Sequence, residues 1–335
     1  RQRFYWPYMG DDIKMIVQKK CSCIASKKPN VPETAPLVPI ITSAPFEMLN
    51  IDFVKLDPCK GGFKYVLTVT DHFTRFSQAY ATKSKSSKAA AAKIYDEFVL
   101  QFGFPVRIHS DQGPEFTSSL FKELHRLSGT KMSTTTPYHP MGSGKVERLN
   151  RTLINMLKAI PETEKNNWKA HLPKLMFAYN STVNKATGYS PFYLLFGRES
   201  RLPIDCLLPI EPNKVSKKTY AEFVKKWKQS MKDAYQVVHQ EMQKHGEYNK
   251  GKYDSKIKQV EVNVGDRVLV RNTEKGGTGK LRSNWEQQIY EVVSKDSMVP
   301  VYTVRPLRGR KTKKLHRNML MRANHLPTDV FDQEE

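Results

Sequence analysis

Three acidic residues stand where chemistry explains them more readily than structure does. Asp52 lies inside the apolar stretch "LNIDFVKL", Asp111 closes "VRIHSD", and Glu147 falls in "GSGKVERLNRTL" among basic neighbours. An aspartate within an apolar strand is unfavourable for strand propensity and costly to desolvate unless something pairs with it. Taken singly, the other two have ordinary explanations. Aspartate often opens a turn such as "DQGPEF", and a first-turn glutamate is favoured by the helix dipole. Taken together, the three offer hard oxygen donors. Two Mg²⁺ ions roughly 4 Å apart can hold the attacking and the leaving oxygen of an in-line phosphoryl displacement, and carboxylates are the ligands such ions require.

The elements that must position these groups follow from local pattern. "MLNIDFVKL", "KYVLTVTDH" and "RFSQAYAT", separated by the turn formers "DPCKGG" and "DHFT", predict three antiparallel strands in a meander. "SSKAAAAKIYDEFVLQFG" predicts an alanine-rich helix closed by glycine, "PVRIHSD" a short strand, "SSLFKELHRLSG" a second helix and "TKMSTTTP" one more strand. "KVERLNRTLINMLKAI" and "NNWKAHLPKLMFAYNSTV" both read as helical. Strands first, then alternating helices and strands, then helices, indicate a mixed sheet covered by helices in one α/β domain.

Outside that domain, "MGDDIKMIVQKKC" predicts a short helix and "KPNVPETAPLVPIITSAPF" an extended proline-rich linker. Tyr220, Phe223, Val224, Trp227, Met231, Tyr235, Val238 and Met242 recur at three-and-four spacing, which predicts a long amphipathic helix. Its stripe suits either an intersubunit contact or packing on the protein's own core. "VNVGDRVLVRN", "IYEVVSK", "PVYTVRPL" and "KLHRNMLMRAN" predict four short strands, enough for a small barrel. The expected divisions are a helical unit over 1–30, a linker over 31–46, the α/β core over 47–205, a helical linker over 206–255, a β domain over 256–325 and a disordered acidic tail over 326–335.

The chain has 335 residues and a formal charge of +22, a field that attracts polyanions and is hard to reconcile with a small-molecule enzyme. Nucleic acid is the expected partner. No apolar run approaches the roughly 20 residues needed to span a bilayer, and no secretory signal opens the sequence, so no membrane association is expected. The scattered cysteines Cys21, Cys23, Cys59 and Cys206 do not form a disulfide framework, which fits a reducing compartment. A first residue of Arg rather than Met suggests a fragment of a longer chain.

"NIDFV", "HSDQGPEF" and "GSGKVERLNRTL" resemble the catalytic core of retroviral and retrotransposon integrases, most closely the Ty3/gypsy class. Asp52, Asp111 and Glu147 match its D, D and E, and thirty-five residues lie between the last two. The resemblance implies an α/β core with an RNase H-like mixed five-stranded sheet and helices. A partial amino-terminal zinc-type helical unit and a carboxy-terminal SH3-like β-barrel flank that core. It implies a polynucleotidyl transferase that trims the 3′ ends of element DNA and joins them to target DNA. Two Mg²⁺ (or Mn²⁺) ions would be held by Asp52, Asp111 and Glu147. It further implies a homo-multimer, chromatin or host factors as possible partners, and a nuclear location with a cytoplasmic phase. Two other classes stay open on the residues: a domesticated DNA-binding derivative without joining activity, and an RNase H-like metal-dependent endonuclease.

The match is imperfect at the amino terminus. The family's zinc unit uses two histidines and C-x-x-C, whereas the first histidine here is His72 and the cysteines read C-S-C. Zn²⁺ is therefore not expected in this chain. Expected DNA contacts are Lys145, Arg148, Asn150 and Arg151 around Glu147. In the basic run "RPLRGRKTKKLHR" they are Arg305, Arg308, Arg310, Lys311, Lys313, Lys314 and Arg317. "PYHPMGSG" matches the family's mobile loop beside the active site, Asp71 reads as structural, and Trp285 and Tyr290 read as core aromatics.

Overall fold

The computed structural model describes residues 4–19, 34–111, 113–118, 126, 128–134, 144–207, 219–257, 260–273, 283–296, 299–326, 328 and 331. Cys21 and Cys23, most of the helix expected at "SSLFKELHRLSG", the loop "PYHPMGS" and most of the acidic tail lie outside these residues. The chain divides into two compact units, one of residues 39–249 and one of residues 1–38 with 250–335.

In the larger unit, β1 (Leu49–Cys59), β2 (Phe63–Asp71) and β3 (Ser77–Thr82) form the expected meander. β4 (Arg107–Ser110) and β5 (Lys131–Thr134) then add in parallel, giving a five-stranded mixed sheet of order β3-β2-β1-β4-β5. β1 runs on through the stretch that reads as a turn. Its register shifts between Lys55 and Cys59, and the chain reverses at Gly61 and Gly62, both at positive φ. The strands' period of two sorts β1 into faces. Leu49, Ile51 and Phe53 meet Ala90, Ile94 and Phe98 of the helical stretch Ser87–Ala92 and Lys93–Val99 (α2), whose second half has wider, π-type spacing. Val54, together with Val66 of β2, meets Leu149, Leu153 and Leu157 of α4 (Gly144–Lys158). Asn50 and Asp52 therefore share the α4 face. Between β4 and β5 the described residues include a single turn of helix, α3 (Pro114–Thr117).

The segment expected as one helix after α4 is broken. A 3₁₀ stretch, Glu162–Ala170, kinks at Asn167, and α5 (Leu172–Ser181) then starts with proline in its first turn. Buried Asn180 ties α5 to β3 through Ser77, accepting from its N–H and donating to its carbonyl. Asp71 is structural, as expected: one carboxylate oxygen accepts from the Phe46 N–H and the other from the N–H and hydroxyl of Thr74. Two short helices, α6 (Pro191–Phe196) and α7 (Pro203–Leu207), precede the long α8 (Tyr220–Asp254). Its stripe is used in two ways. Met231, Ala234, Val238 and Met242 are buried, several of them against Phe73 and Leu194, whereas Tyr220, Phe223 and Trp227 are exposed.

In the smaller unit, α1 (Met9–Lys19) is the helix expected near the amino terminus. The carboxy-terminal sheet has five strands, not four: β6 (Arg267–Arg271), β7 (Trp285–Lys295), β8 (Val301–Pro306), β9 (Lys313–His316) and β10 (Leu320–Arg322). The last expected strand is split by a 3₁₀ turn at Arg317–Met319. The sheet is wholly antiparallel, of order β10-β6-β7-β8-β9, an SH3-like arrangement. Trp285 and Tyr290 are buried in it, as the sequence predicts. Among the described residues no helix is long and apolar enough to cross a membrane.

Candidate active site

Asp52, Asp111 and Glu147 line one cleft of about 140 Å³, together with Asn50, Ile51, His109, Ser110 and Val146. Parallel pairing of β1 with β4 puts Asn50 opposite His109. Two residues further along, Asp52 in β1 and Asp111 just past β4 extend the same face. Val146 and Leu149 seat the first turns of α4 on the sheet, which brings Glu147 to the rim.

The Asp52 carboxylate is held at both oxygens. Oδ1 accepts from the Phe53 N–H at 2.8 Å and Oδ2 from Asn150 Nδ2 at 2.8 Å. Asn150 Oδ1 in turn accepts from the Thr68 hydroxyl at 3.0 Å, and that hydroxyl also reaches the Asp52 carbonyl. Burial, opposed by the Phe53 hydrogen bond and reinforced by the neighbouring charge of Asp111, pushes the Asp52 carboxyl up to about 6. Asp111 is exposed, and its Oδ1 accepts from the Gly113 N–H at 3.0 Å. The Glu115 carboxylate folds back over Gly113 and pairs with Lys85 at 2.7 Å, so a cation supplied by the β3–α2 loop stands beside the aspartates and interacts with both.

This donor set fits a hard divalent cation. Three carboxylates line one small cleft, and the ionised form of one of them, Asp52, is disfavoured by burial and a like charge, a penalty that a cation would relieve. Among the described residues no three His, Cys, Asp or Glu side chains gather closely enough to share one ion. All three carboxylates nonetheless line the one cleft. A larger groove of about 860 Å³ along α8, lined by Trp227, Met231 and Tyr235 among others, has no carboxylate in its wall.

The expected DNA contacts divide. Arg148 and Arg151 are exposed on α4, and the Lys145 side chain lies outside the described residues. Asn150 is a correction: it is half-buried and both ends of its amide are engaged by Asp52 and Thr68, so it orients a carboxylate. Arg308, Arg310, Lys311 and Lys314 are exposed in the second unit. Arg305 pairs with Glu291 at 3.1 Å and Lys313 with Glu286 at 2.8 Å. Exposed pairs of this kind are worth at most about 1 kcal/mol and exchange readily for phosphate. Arg317 is the second correction. It is buried, and its guanidinium donates to the carbonyls of Val260 and Leu320, which makes it a clamp within the β unit. The sequence reasoning missed Asn50, His109, Lys85 and Glu115. Glu115 sits in "DQGPEF" beside Asp111, the one local signal that could have found it.

A mixed five-stranded sheet with one aspartate on its central strand, another just past the adjacent strand and a glutamate on the helix across them defines an RNase H-like core of the integrase type. Residues 42–140 match the integrase core domain family. The chain is 30% identical over 278 residues to the retrovirus-related Pol polyprotein of transposon 412 from Drosophila melanogaster, covering 81% of this chain and 22% of that protein. It is 30% identical over 201 residues to the Pro-Pol polyprotein of simian foamy virus type 3, covering 60% of this chain and 17% of that one. The chain thus spans about a fifth of the curated relatives it matches. In fold it is similar to the solved intasome of simian T-cell lymphotropic virus in complex with PP2A regulatory subunit B56 gamma. The TM-score is 0.54 at 15% identity, over 93% of this chain and 90% of that one. The chain carries the integrase core domain of retroviruses and Ty3/gypsy-like retrotransposons and is related to their Pol polyproteins.

Proposed function

We propose that the chain is a working integrase segment that trims the 3′ ends of element DNA and joins them to target DNA. The observation that carries this reading is the meeting of Asp52, Asp111 and Glu147 in one cleft of a chain with charge +22. Asp52 and Asp111 would hold one Mg²⁺ or Mn²⁺, and Asp52 and Glu147 the other. When bound, the ions supply Lewis-acid stabilisation of the attacking and leaving oxygens.

The chain's own groups do the rest. Asn150 fixes the Asp52 carboxylate in one orientation, so its oxygens need no reorganisation when substrate arrives. Arg148 and Arg151 on α4, with Arg308, Arg310, Lys311 and Lys314 in the β unit, bind DNA phosphates in a salt-dependent manner. Inserting two DNA ends together takes more than one active site, so self-association belongs to the same proposal. So does a nuclear site of action, where target DNA lies.

The test is Mg²⁺-dependent joining of an end-mimicking oligonucleotide to plasmid. Asp52→Asn, Asp111→Asn and Glu147→Gln should each abolish joined product; full activity in any one of them refutes the assignment. Cleavage without joining would make the protein a nuclease. Salt-sensitive binding with neither would make it a DNA-binding derivative.

A further inference from the structure

Two residues that line the cleft each carry a buried polar atom with no hydrogen-bond partner among the described residues: Oδ1 of Asn50 and Nε2 of His109. The residues are 1% and 6% exposed, and both line the cavity that Asp52 and Asp111 line. Leaving such atoms unpaired costs about 1–3 kcal/mol each, so something is expected to satisfy them.

The surroundings of Asn50 set what it presents, and those of His109 permit an acceptor. His72 Nε2 lies 3.2 Å from the Ile40 carbonyl, to which it can only donate, so His72 Nδ1 is an acceptor and takes the Asn50 Nδ2 proton at 3.0 Å. That leaves the amide oxygen as the end without a partner. His109 Nδ1 lies 2.9 Å from Ser133 Oγ, its register partner on β5, and with Nδ1–H donating there Nε2 offers a lone pair. Asn50, His109 and Ser133 thus form one row across β1, β4 and β5, one residue pair inward from the aspartates.

Two acceptors on residues of a carboxylate-lined cavity repel anions and match a ligand that only donates. Water bound to a divalent cation is such a ligand, and Mg²⁺ gives up its water reluctantly. The cavity of about 140 Å³ exceeds the roughly 30 Å³ of one water. We propose that Asn50 and His109 are positioning residues that accept hydrogen bonds from the water ligands of an ion held by Asp52 and Asp111. The pair sets the affinity for the hydrated cation without touching it. This rests on the reading of the two aspartates as ion ligands.

The test is metal binding by the full chain without DNA: Mn²⁺ titration followed by the electron spin resonance of the free ion, with Mg²⁺ as competitor. Asn50→Leu and His109→Leu should each weaken binding at least about tenfold, the range seen when outer partners of a metal site are removed. His109→Gln, whose amide can place an acceptor near the lost Nε2, should stay within about threefold of the parent. Should Asn50→Leu unfold in a thermal melt with chelator, the two His109 variants decide alone. Parental affinity in His109→Leu, with affinity lost in Asp111→Asn, would overturn this inference and leave the aspartates as ligands. Parental affinity in Asp111→Asn would overturn the ligand reading itself.

Discussion

Replacing Asp52 by Asn should make the metal-free protein more stable while removing its activity. Burial and the charge of Asp111 raise the Asp52 carboxyl from 3.8 to about 6. Well below pH 3.8 folded and unfolded chains both carry it protonated, and it contributes no penalty. Between pH 4 and 6 the unfolded chain loses a proton that the folded chain keeps. Above pH 6 the folded state bears the full cost, about 3 kcal/mol at 1.36 kcal/mol per unit. An amide in its place carries no charge to desolvate. It keeps an acceptor for the Phe53 N–H and forfeits the Asn150 hydrogen bond, worth about 1 kcal/mol. The net gain is about 2 kcal/mol at pH 7.5, which for a unit of this size raises Tm by roughly 4–8 °C. The gain should fall below about 1 kcal/mol at pH 5, where the penalty has dropped to about 1.6 kcal/mol and the lost Asn150 hydrogen bond offsets most of what remains. Calorimetry with chelator at the two pH values reads this directly. An Asp52→Asn protein less stable than the parent at pH 7.5, or a gain that does not shrink with acidity, would refute the account of Asp52 as a strained carboxylate awaiting a cation.

Two further outcomes are expected. Gly113→Ala should reduce Mg²⁺-dependent joining at least about tenfold with the fold retained. Its φ of −57° suits alanine, but the new Cβ would lie 2.7 Å from Glu115 Cδ and 3.0 Å from Asp111 Oδ1, and buried Glu115 has little room to retreat; normal activity would show that the Glu115 fold-back is immaterial. Arg317→Ala should destabilise the β unit by about 2–4 kcal/mol, whereas Lys311→Ala with Lys314→Ala should leave its melting unchanged and lower the salt slope of DNA binding by about 1 per residue; the opposite assignment of effects would return Arg317 to the DNA-binding surface.

The sequence by itself determined the order and kind of elements because those depend on neighbours along the chain. Alternation made β1, β2 and β3 legible, alanine and a closing glycine made α2 legible, and spacing picked out Asp52, Asp111 and Glu147 as a group. Only tertiary structure decided what the same residues touch. Asn150 and Arg151 follow Glu147 by three and four positions and look equivalent in sequence, yet Asn150 turns inward to Asp52 while Arg151 stays in solvent, because the rotation of α4 on the sheet is set by Val146, Leu149 and Leu153. Arg317 ends a basic run and reads as one more phosphate contact until a 3₁₀ turn folds its guanidinium onto two carbonyls. The row of Asn50, His109 and Ser133 is invisible in one dimension. It is made by strand register, and register is settled by which faces the sheet buries rather than by any local preference.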